Sequence, residues 1–412
     1  MTRTDNGASI RPSSKPPTAP GTRVLDPSRP LITSHRLAIF AATSGHSGVD
    51  RVIRNLTFQL DAWGIGVDLL RIRNHGPELD MDALVHARRI DLGADHVNTA
   101  LPALVRWLRR ERPAALLTDK DRVNRIAIVA RRLAAVDTRL CVRLGTTVSV
   151  NLSDRGRVER LLQRWSIRHL YPHADGVIVP SQGVADDLTH YTGLPHDQIH
   201  VVRSPIVTPQ LDVLAAAPCD HPWLAPGQPP VILGVGELSY RKDFATLVRA
   251  VARVRRKREC RLIILGRGRR QAELQALAEQ LGIGSDMHLP GFTPNPYSFM
   301  SRAAVFVLSS RWEGMPVALV EALACGTPAV ATDCPSGPAE LLGDGDCGSL
   351  VSIGDEAAMA TEIDHWLECR PQPALIEQAI APYRIEASAA AFLARLGFDN
   401  VATCVTPTTT TC

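Results

Sequence analysis

The sequence lacks the patterns that mark several common classes of protein. None of its apolar stretches approaches the run of about 18 residues that a spanning helix needs, so we expect no transmembrane helix. Its nine cysteines form no CxxC pair and are odd in number, which argues against a disulfide framework and favours a reducing cytoplasm. The histidines show no HExxH-like spacing, so no dedicated zinc site is expected. The aromatic residues are not spaced as in nucleic-acid-binding modules, and we expect no nucleic-acid partner.

The two ends of the chain also lack the periodicity of folded segments. Residues 1–34 are rich in Pro, Ser and Thr and have no apolar central run, so we expect a disordered leader rather than a secretory signal. Residues 401–412 include the low-complexity run TPTTTTC, for which we expect a frayed tail.

The segment between these ends predicts an α/β fold. Short apolar runs alternate with helix-length amphipathic segments, a pattern typical of βαβ units and of parallel sheets covered on both faces. The apolar runs predicted as strands are 36–44, 66–72, 114–118, 139–144 and 176–180 in the first half, and 231–238, 261–266, 303–310, 328–332 and 348–352 in the second.

A proline-rich break separates the two halves, and 412 residues exceed what one hydrophobic core usually serves. We therefore expect two facing Rossmann-like domains with a cleft between them. The expected segments are an N-terminal Rossmann-like domain over 35–205, a linker over 206–229, a C-terminal Rossmann-like domain over 230–372, and a C-terminal helix over 373–400 that crosses back to the N-terminal domain.

Charge is distributed unevenly between the halves. The first 228 residues carry 29 Lys and Arg against 22 Asp and Glu, whereas the remainder carries 17 against 20. A basic N-terminal half suits an anionic membrane surface, an anionic acceptor or a nucleic acid, of which the aromatic spacing argues against the last.

Ligands of parallel α/β sheets bind at the carboxyl ends of the strands, and the loops there carry polar motifs. The loop after the first strand ends at Gly48 and opens a helix, whose free N–H groups suit an anion; a plain tight turn is the alternative. The corresponding loop of the second half reads GVGELSYRKDF and contains Gly236, Arg241 and Lys242. Two cations at a helix start oppose the helix dipole, so an anionic ligand would offset their cost. The alternative is a solvated pair of cations.

The stretch RWEGMPVALVEALACGTP, residues 311–328, places two glutamates in an apolar setting. Glu313 lies in a loop and Glu321 inside the following helix, where a buried carboxylate needs hydrogen-bond donors. Ligand hydroxyls would supply them, and so would a neighbouring arginine. Two carboxylates fit a general acid and base, or a clamp on a polyol, and the residues alone do not decide between these.

Together these motifs resemble the retaining nucleotide-sugar glycosyltransferases of family 4, which have the GT-B fold and an E-x7-E motif. Here the motif is Glu313 and Glu321. The likeness extends over GELSYRKDF, RLIILGRGRR, LPGFTPNPYSFM, TDCPSGPAELL and GDCGSLV in the second half. The first half is similar more loosely, through SGHSGVDRVIRNL and VIVPSQGVADDL.

The resemblance implies a role for each matching residue. Glu313 would contact the donor sugar, Glu321 would hold the ribose hydroxyls, and Lys242 with Arg241 would neutralise the diphosphate. The implied catalytic set is therefore Glu313, Lys242 and Arg241. The other residues implied in donor binding are Gly48, Gly236, Pro290, Gly291, Phe292, Gly314 and Met315, with Pro290 to Phe292 against the base.

Members of this family usually need no metal, because cations and a helix N-terminus stabilise the leaving diphosphate. The resemblance thus implies a nucleotide sugar as co-substrate and no cofactor. Retention without a clear nucleophile implies a front-face displacement. Three DxD patterns, at 80–82, 119–121 and 344–346, leave a metal-dependent transferase of another fold as the alternative.

This sequence departs from the family pattern at two places. Glu237 stands where many relatives have arginine, so Arg241 would compensate for a lost phosphate contact. The loop after the strand ending near residue 144 lacks a histidine that many relatives have. A hydroxyl such as that of Thr146, or Arg143, would then orient the reacting sugar, and His46 is a further candidate.

Residues 155–170, RGRVERLLQRWSIRHL, predict a basic amphipathic helix. Such a helix suits an anionic bilayer or a lipid-phosphate acceptor, and the alternative is an ordinary packed helix with a solvated charged face. We interpret it as peripheral attachment to the cytoplasmic face of a membrane. The arginines on its polar face are Arg157, Arg160, Arg164 and Arg168.

The expected function is transfer of a hexosyl or N-acetylhexosaminyl unit from a nucleotide-diphosphate sugar to a polysaccharide, glycolipid or lipid-linked acceptor. TDCPSGPAELL resembles the subgroup that uses UDP-sugars. The alternatives are a nucleotide-sugar epimerase or hydrolase of GT-B fold, and a non-catalytic nucleotide-sugar-binding protein.

Overall fold

A computed structural model describes residues 36–43, 48–73, 75–76, 78–152, 156–343, 345 and 347–398. The expected leader and tail, His46, Asp344 and Asp346 lie outside the described residues. Within the described ranges, no helix is long and apolar enough to cross a membrane.

A parallel sheet forms the centre of the N-terminal domain. Its strands are β1 (Leu37–Ala41), β2 (Val67–Arg71), β3 (Ala87–Asp91), β4 (Ala115–Asp119), β5 (Arg139–Arg143), β6 (Gly176–Val179) and β7 (Ile199–Val201). They are ordered β3-β2-β1-β4-β5-β6-β7.

A second parallel sheet forms the centre of the C-terminal domain. Its strands are β8 (Val231–Val235), β9 (Arg261–Leu265), β10 (Met287–Gly291), β11 (Val305–Leu308), β12 (Ala329–Thr332) and β13 (Gly348–Val351). They are ordered β10-β9-β8-β11-β12-β13. Both sheets together confirm the predicted two-domain α/β architecture.

Helices cover the faces of the two sheets. Those of the first half are α1 (Gly48–Ala62), α2 (Leu101–Glu111), α3 (Asp121–Ala134), α4 (Val148–Asn151), α5 (Arg157–Leu170), α6 (Gln182–Thr192) and α7 (Pro209–Ala216). Those of the second half are α8 (Phe244–Arg255), α9 (Gln271–Gln280), α10 (Tyr297–Met300), α11 (Val317–Ala324), α12 (Pro338–Leu342), α13 (Glu356–Glu368), α14 (Pro373–Ile380) and α15 (Ile385–Arg395).

Strand β1 illustrates why these apolar runs become central strands. All five of its residues are buried, because successive side chains point to opposite faces and each face is covered. Ala38 and Phe40 pack into the core that includes α2 and α3. Leu37 and Ile39 pack into the core that includes α1 and α15. The C-terminal sheet is sandwiched in the same way, between one core with α8 and α13 and another with α11 and α14.

The chain crosses between the domains at two adjacent segments. The carbonyl of Tyr383 accepts the N–H groups of Ile206 and Val207 at 3.0 and 2.9 Å, and the N–H of Ile385 donates to Val207 at 2.9 Å. Beyond this crossing, α15 packs on the N-terminal domain through Phe392 and its neighbours.

Two of the expected segments differ from what the structure shows. Residues 373–400 do not form a single helix: α14 lies on the C-terminal domain, and α15 alone returns to the N-terminal one. The segment 206–229 is not merely a connector, because its prolines flank the eight-residue helix α7, which begins with Pro209.

Candidate active site

A buried charge cluster surrounds Glu313, in the loop between β11 and α11. The side chain of Glu313 is 4% exposed. The Nζ of Lys242 donates to its Oε1 at 2.6 Å, and Nη1 of Arg241 donates to its Oε2 at 2.9 Å. The hydroxyl of Ser310 donates to Oε1 at 2.7 Å. The fold thus brings together the three residues of the expected catalytic set, which are about 70 residues apart in sequence.

These contacts keep Glu313 ionised. Burial by itself raises the pKa of Glu313, but the charges of Lys242 and Arg241, together with the hydrogen bonds from Lys242 and Ser310, outweigh it and hold the pKa below its ordinary value. Glu313 therefore lacks the proton that a general acid would donate at neutral pH. The three side chains carry two positive charges and one negative, so the cluster attracts anions.

Gly236 gives the stem of Lys242 room to reach Glu313. A Cβ at Gly236 would lie 2.9 Å from the Cε of Lys242. Because the φ of Gly236 is +158°, the backbone there is also one that other residues rarely adopt.

Glu321 lies on α11 and is held from both domains. The hydroxyl of Tyr297, on α10, donates to Oε1 of Glu321 at 2.9 Å. The guanidinium of Arg51, on α1 of the other domain, donates to the same oxygen. Burial raises the pKa of Glu321, although Arg51 and Tyr297 act in the opposite direction. A neighbouring arginine therefore does donate to this carboxylate, which is one of the two alternatives that the sequence left open.

Gly314 lies where the two domains touch. A Cβ on Gly314 would be 2.3 Å from the carbonyl oxygen of Gly145 and 2.6 Å from the Cα of Thr146, in the loop after β5. The hydroxyl of Ser181 donates to the Gly314 carbonyl at 2.8 Å across the cleft, and that of Ser336 donates to the same carbonyl at 3.0 Å. The glycine before buried Met315 is therefore needed for contact between the domains.

A second contact across the cleft is made by Glu340, on α12. Its carboxylate accepts the backbone N–H groups of Gln182 and Gly183, at 2.8 and 2.9 Å, at the start of α6. It also accepts from Nη1 of Arg203 at 2.7 Å. Although burial acts to raise it, the pKa of Glu340 is lowered by these hydrogen bonds and by the charge of Arg203. Glu340 caps a helix of the opposite domain, which favours a carboxylate there.

The segment expected against the base lies at the end of β10. Gly291 has a φ of +89°, and its carbonyl accepts the N–H of Gly266 at 2.8 Å. Pro290 is exposed, and Phe292 is 67% exposed. Tyr297, which contacts Glu321, follows five residues later. Gly48 is exposed at the first residue of α1, one turn before Arg51.

Arg143, which was expected on the acceptor side and as a residue that orients the reacting sugar, is buried. Its side chain is 5% exposed, forms an ion pair with Asp119 and donates to the hydroxyl of Ser204 at 3.0 Å. Its charge is needed to neutralise a buried aspartate. Thr146, three residues later, is exposed at the cleft loop that touches Gly314.

The DxD patterns within the described residues are used in other contacts. Asp119 pairs with Arg143, while Asp121 pairs with Arg125 and accepts from the hydroxyl of Tyr171. The carboxylate of Asp80 accepts the backbone N–H of Asp82. No group of metal-ligating side chains occurs among the residues that the structure describes.

Helix α5 presents apolar side chains to solvent. Its exposed apolar face consists of Val158, Leu161, Leu162 and Trp165, which are 71%, 66%, 60% and 58% exposed. Only Ser166 and Ile167 of this helix are buried. Helix α5 therefore packs on the N-terminal core through Ile167, with Leu170 partly buried beside it, and leaves this apolar face exposed. Of the four arginines, Arg157, Arg164 and Arg168 are exposed and Arg160 is half-buried.

The site also contains residues that no pattern in the sequence indicated, namely Arg51, Tyr297, Glu340, Arg203 and the two serines at Gly314. Arg51 is 270 residues from Glu321 in the chain, so no spacing links them. A weaker signal was available: Arg51 lies in the first turn of the helix that follows the first strand of its domain, and ligand-facing residues are common there.

Two family models match the chain. The "Glycosyl transferase 4-like domain" matches residues 47–205, and "Glycosyl transferases group 1" matches residues 220–381. The first range contains strands β2 to β7, and the second contains strands β8 to β13.

Curated relatives are glycosyltransferases. The Campylobacter jejuni N-acetylgalactosamine-N,N'-diacetylbacillosaminyl-diphospho-undecaprenol 4-alpha-N-acetylgalactosaminyltransferase is 33% identical over 248 residues, which are 60% of this chain and 65% of the relative. The Rhizobium meliloti lipopolysaccharide core biosynthesis glycosyltransferase LpsE is 34% identical over 139 residues, or 34% of this chain and 40% of the relative. The matched segments thus span less than two thirds of each relative.

The fold also matches solved structures. Anabaena HepE in complex with UDP and glucose superposes with a TM-score of 0.68 at 15% identity, covering 88% of this chain and all of that one. The family models, the relatives and the paired parallel sheets agree, and the chain belongs to the glycosyltransferases of GT-B fold and family 4 type.

Proposed function

We propose that this protein is a retaining glycosyltransferase that moves a hexosyl or N-acetylhexosaminyl unit from a UDP-sugar to a polysaccharide, glycolipid or lipid-linked acceptor. The observation that carries the proposal is the buried cluster of Glu313, Lys242 and Arg241 at the cleft. A fixed carboxylate beside two cations suits a ligand that joins hydroxyl groups to a diphosphate.

In this proposal the donor lies across the C-terminal domain. Lys242 and Arg241 bind the diphosphate, since an ammonium has three N–H donors and Glu313 takes one of those of Lys242. Glu313 accepts from hydroxyls of the sugar, Glu321 from those of the ribose, and Pro290 to Phe292 lie against the base. Gly48 and the backbone of Gly314 and Met315 complete the site.

Transfer is proposed to proceed on one face of the sugar. The oxygen of the acceptor hydroxyl bonds to the anomeric carbon as the bond from that carbon to the diphosphate oxygen breaks, and the hydroxyl proton passes to the leaving phosphate. The diphosphate gains negative charge in this step. Lys242 and Arg241 are already in place to stabilise it, and such preorganised donors contribute about 100- to 1,000-fold in kcat.

We propose that the reaction needs no metal ion. The charge that a divalent cation would supply to the diphosphate is supplied by Arg241 and Lys242, which together exceed the charge of Glu313. Addition of EDTA is expected to leave the rate unchanged, and loss of activity restored by Mg²⁺ or Mn²⁺ would contradict this part.

The acceptor is proposed to be presented at a membrane. The exposed apolar face of α5 lies beside exposed Arg157, Arg164 and Arg168, a combination that suits the headgroup region of an anionic bilayer. The name of the Campylobacter relative, which contains a diphospho-undecaprenol acceptor, supports a lipid-linked substrate class. Attachment is proposed to be peripheral and on the cytoplasmic face.

The nucleotide and the sugar of the donor can be identified in two steps. Thermal unfolding is measured with UDP, GDP and ADP, and the largest upward shift is expected with UDP. Labelled UDP-glucose, UDP-galactose and their N-acetylated forms are then incubated with the protein and membrane extract. Label in the lipid or glycan fraction is expected; label released only as free sugar would favour a hydrolase, and nucleotide binding without turnover a binding protein.

A further inference from the structure

Two hydrogen-bond donors from different domains converge on one oxygen of Glu321. Tyr297 donates through its hydroxyl at 2.9 Å, and Arg51 donates through Nη1, both to Oε1. No described residue donates to Oε2. The side chain of Glu321 is 3% exposed, and a buried carboxylate oxygen favours further hydrogen-bond donors.

This geometry restricts the orientation of the Glu321 carboxylate. A free carboxylate rotates readily about its last side-chain bond, because that torsion has broad energy wells. Two donors on Oε1 fix that oxygen and leave the lone pairs of Oε2 available. One of the donors, Arg51, reaches across from α1, and its own side chain is 35% exposed.

We propose that Arg51 and Tyr297 are positioning residues that orient Glu321 so that its Oε2 accepts hydrogen bonds from the ribose hydroxyls of the donor nucleotide. Since Arg51 belongs to the N-terminal domain, ribose recognition then depends on contact between the two domains. This inference rests on the proposed function, in which Glu321 holds the ribose.

If Arg51 only holds the two domains together, the effect of its removal on ligand affinity is expected to be different. An interdomain ion pair that only holds the domains together would change the affinity for every ligand of the cleft by a similar factor. A residue that orients Glu321 changes the affinity for ligands with ribose hydroxyls more than for ligands without them. The ratio of the two dissociation constants separates these roles.

The test is a cycle of protein variants and nucleotides. We first identify which of UDP, GDP and ADP binds the wild-type protein most tightly. Calorimetry then compares the affinity for this nucleotide with the affinity for its 2′,3′-dideoxy analogue. Wild type is expected to prefer the ribonucleotide by about tenfold or more, as hydrogen bonds to a charged group imply. Arg51→Ala is expected to reduce this preference to about twofold, and Tyr297→Phe to reduce it partly.

The matched control is Arg54→Ala, which removes an exposed arginine one turn along the same helix. It is expected to keep the wild-type preference. Because a ratio of dissociation constants does not depend on the fraction of folded protein, modest destabilisation by Arg51→Ala does not obscure the result.

The possible outcomes separate the positioning role of Arg51 from the ribose role of Glu321. An undiminished preference in Arg51→Ala overturns the positioning role while leaving the proposed function intact. Equal affinity of wild type for both nucleotides overturns the inference together with the ribose role of Glu321, even if label transfer is still observed. A preference that falls equally in Arg54→Ala shows a general effect of charge on α1 and also overturns it.

Discussion

Glu313 and Glu321 are both buried, yet their surroundings shift their pKa values in opposite directions. Two cations on Glu313 outweigh the cost of burial, whereas one arginine and one hydroxyl on Glu321 do not. The residues alone identified both carboxylates but left their roles open, because the partners that decide the roles are distant in sequence. The two carboxylates therefore have separate partners: Lys242 and Arg241 contact Glu313, whereas Arg51 and Tyr297 contact Glu321.

The depressed pKa of Glu313 predicts a pH-dependent contribution to stability. A carboxyl whose folded pKa lies below its unfolded value of about 4.3 stabilises the fold above that value and loses this contribution as pH falls through the folded pKa. Glu313→Gln leaves Lys242 without its buried partner, so we expect a loss of about 3–5 kcal/mol in the free energy of unfolding at pH 7. Urea unfolding between pH 7 and pH 3 is expected to show this difference shrinking below about pH 4.

The comparison for this effect is Glu377→Gln, which removes one partner of an exposed ion pair with Arg384. Its effect is expected to stay within about 1 kcal/mol at all pH values. A difference between wild type and Glu313→Gln that does not change with pH would show that Glu313 is not a stabilising carboxylate.

Gly314 has a steric role that can be tested with one methyl group. Gly314→Ala would place Cβ against the backbone of Gly145 and Thr146, so the domains have to separate or the loop has to move. We expect at least a tenfold loss of kcat/KM in the transfer assay. Gly156→Ala is the control, because no described atom lies within 4 Å of the added Cβ. Full activity in Gly314→Ala would mean that the contact between the domains is not needed for catalysis.

At the scale of elements, the sequence predicted every strand in the interior of the two sheets and missed three at their edges. Interior strands are buried on both faces and read as continuous apolar runs. The missed strands β3, β7 and β10 each lie at a sheet edge, and β3, with the sequence ARRID, has no fully buried residue. These three half-exposed strands carry too little apolar pattern to be recognised, whereas the fourth edge strand, β13, was predicted.

Helix α5 was predicted correctly as an amphipathic helix, but the sequence did not show whether its apolar face is buried. Only the structure shows that this face is exposed. We expect Leu161→Glu with Trp165→Glu to abolish sedimentation with vesicles of phosphatidylglycerol and phosphatidylcholine at low salt. The midpoint of thermal unfolding should be unchanged, since both side chains are exposed.

Leu133→Glu serves as the control for α5, because Leu133 is also exposed, at 54%, on a different helix. It is expected to sediment with vesicles like wild type. If wild type itself stays in the supernatant, membrane attachment through α5 is wrong.

At the scale of the whole molecule, contacts across the cleft hold the site together. Arg51, Ser181 and Arg203 of the first half reach Glu321, Gly314 and Glu340 of the second. No spacing in the sequence predicts such pairs, because they join residues 133 to 270 positions apart. The family resemblance predicted the cleft but not what closes it.

Glu340→Ala tests the contribution of one such contact. The substitution leaves two backbone N–H groups of α6 and the guanidinium of Arg203 without their carboxylate. We expect a loss of about 1–3 kcal/mol in the free energy of unfolding and a larger radius of gyration by X-ray scattering. Glu273→Ala, at an exposed pair within the C-terminal domain, is expected to change neither quantity. An unchanged radius and stability in Glu340→Ala would rule out this contact as a link between the domains.

We propose that the cluster of Lys242, Arg241 and Glu313 is the donor site of a glycosyltransferase. Transfer of label from a UDP-sugar into the lipid or glycan fraction of membrane extract tests it most directly, in wild type, Lys242→Ala and Lys257→Ala. Lys257 is an exposed lysine of the same domain. We expect wild type and Lys257→Ala to transfer label at similar rates, and Lys242→Ala to be slower by about 100-fold or more. Equal transfer by Lys242→Ala and wild type would contradict the assignment of the site.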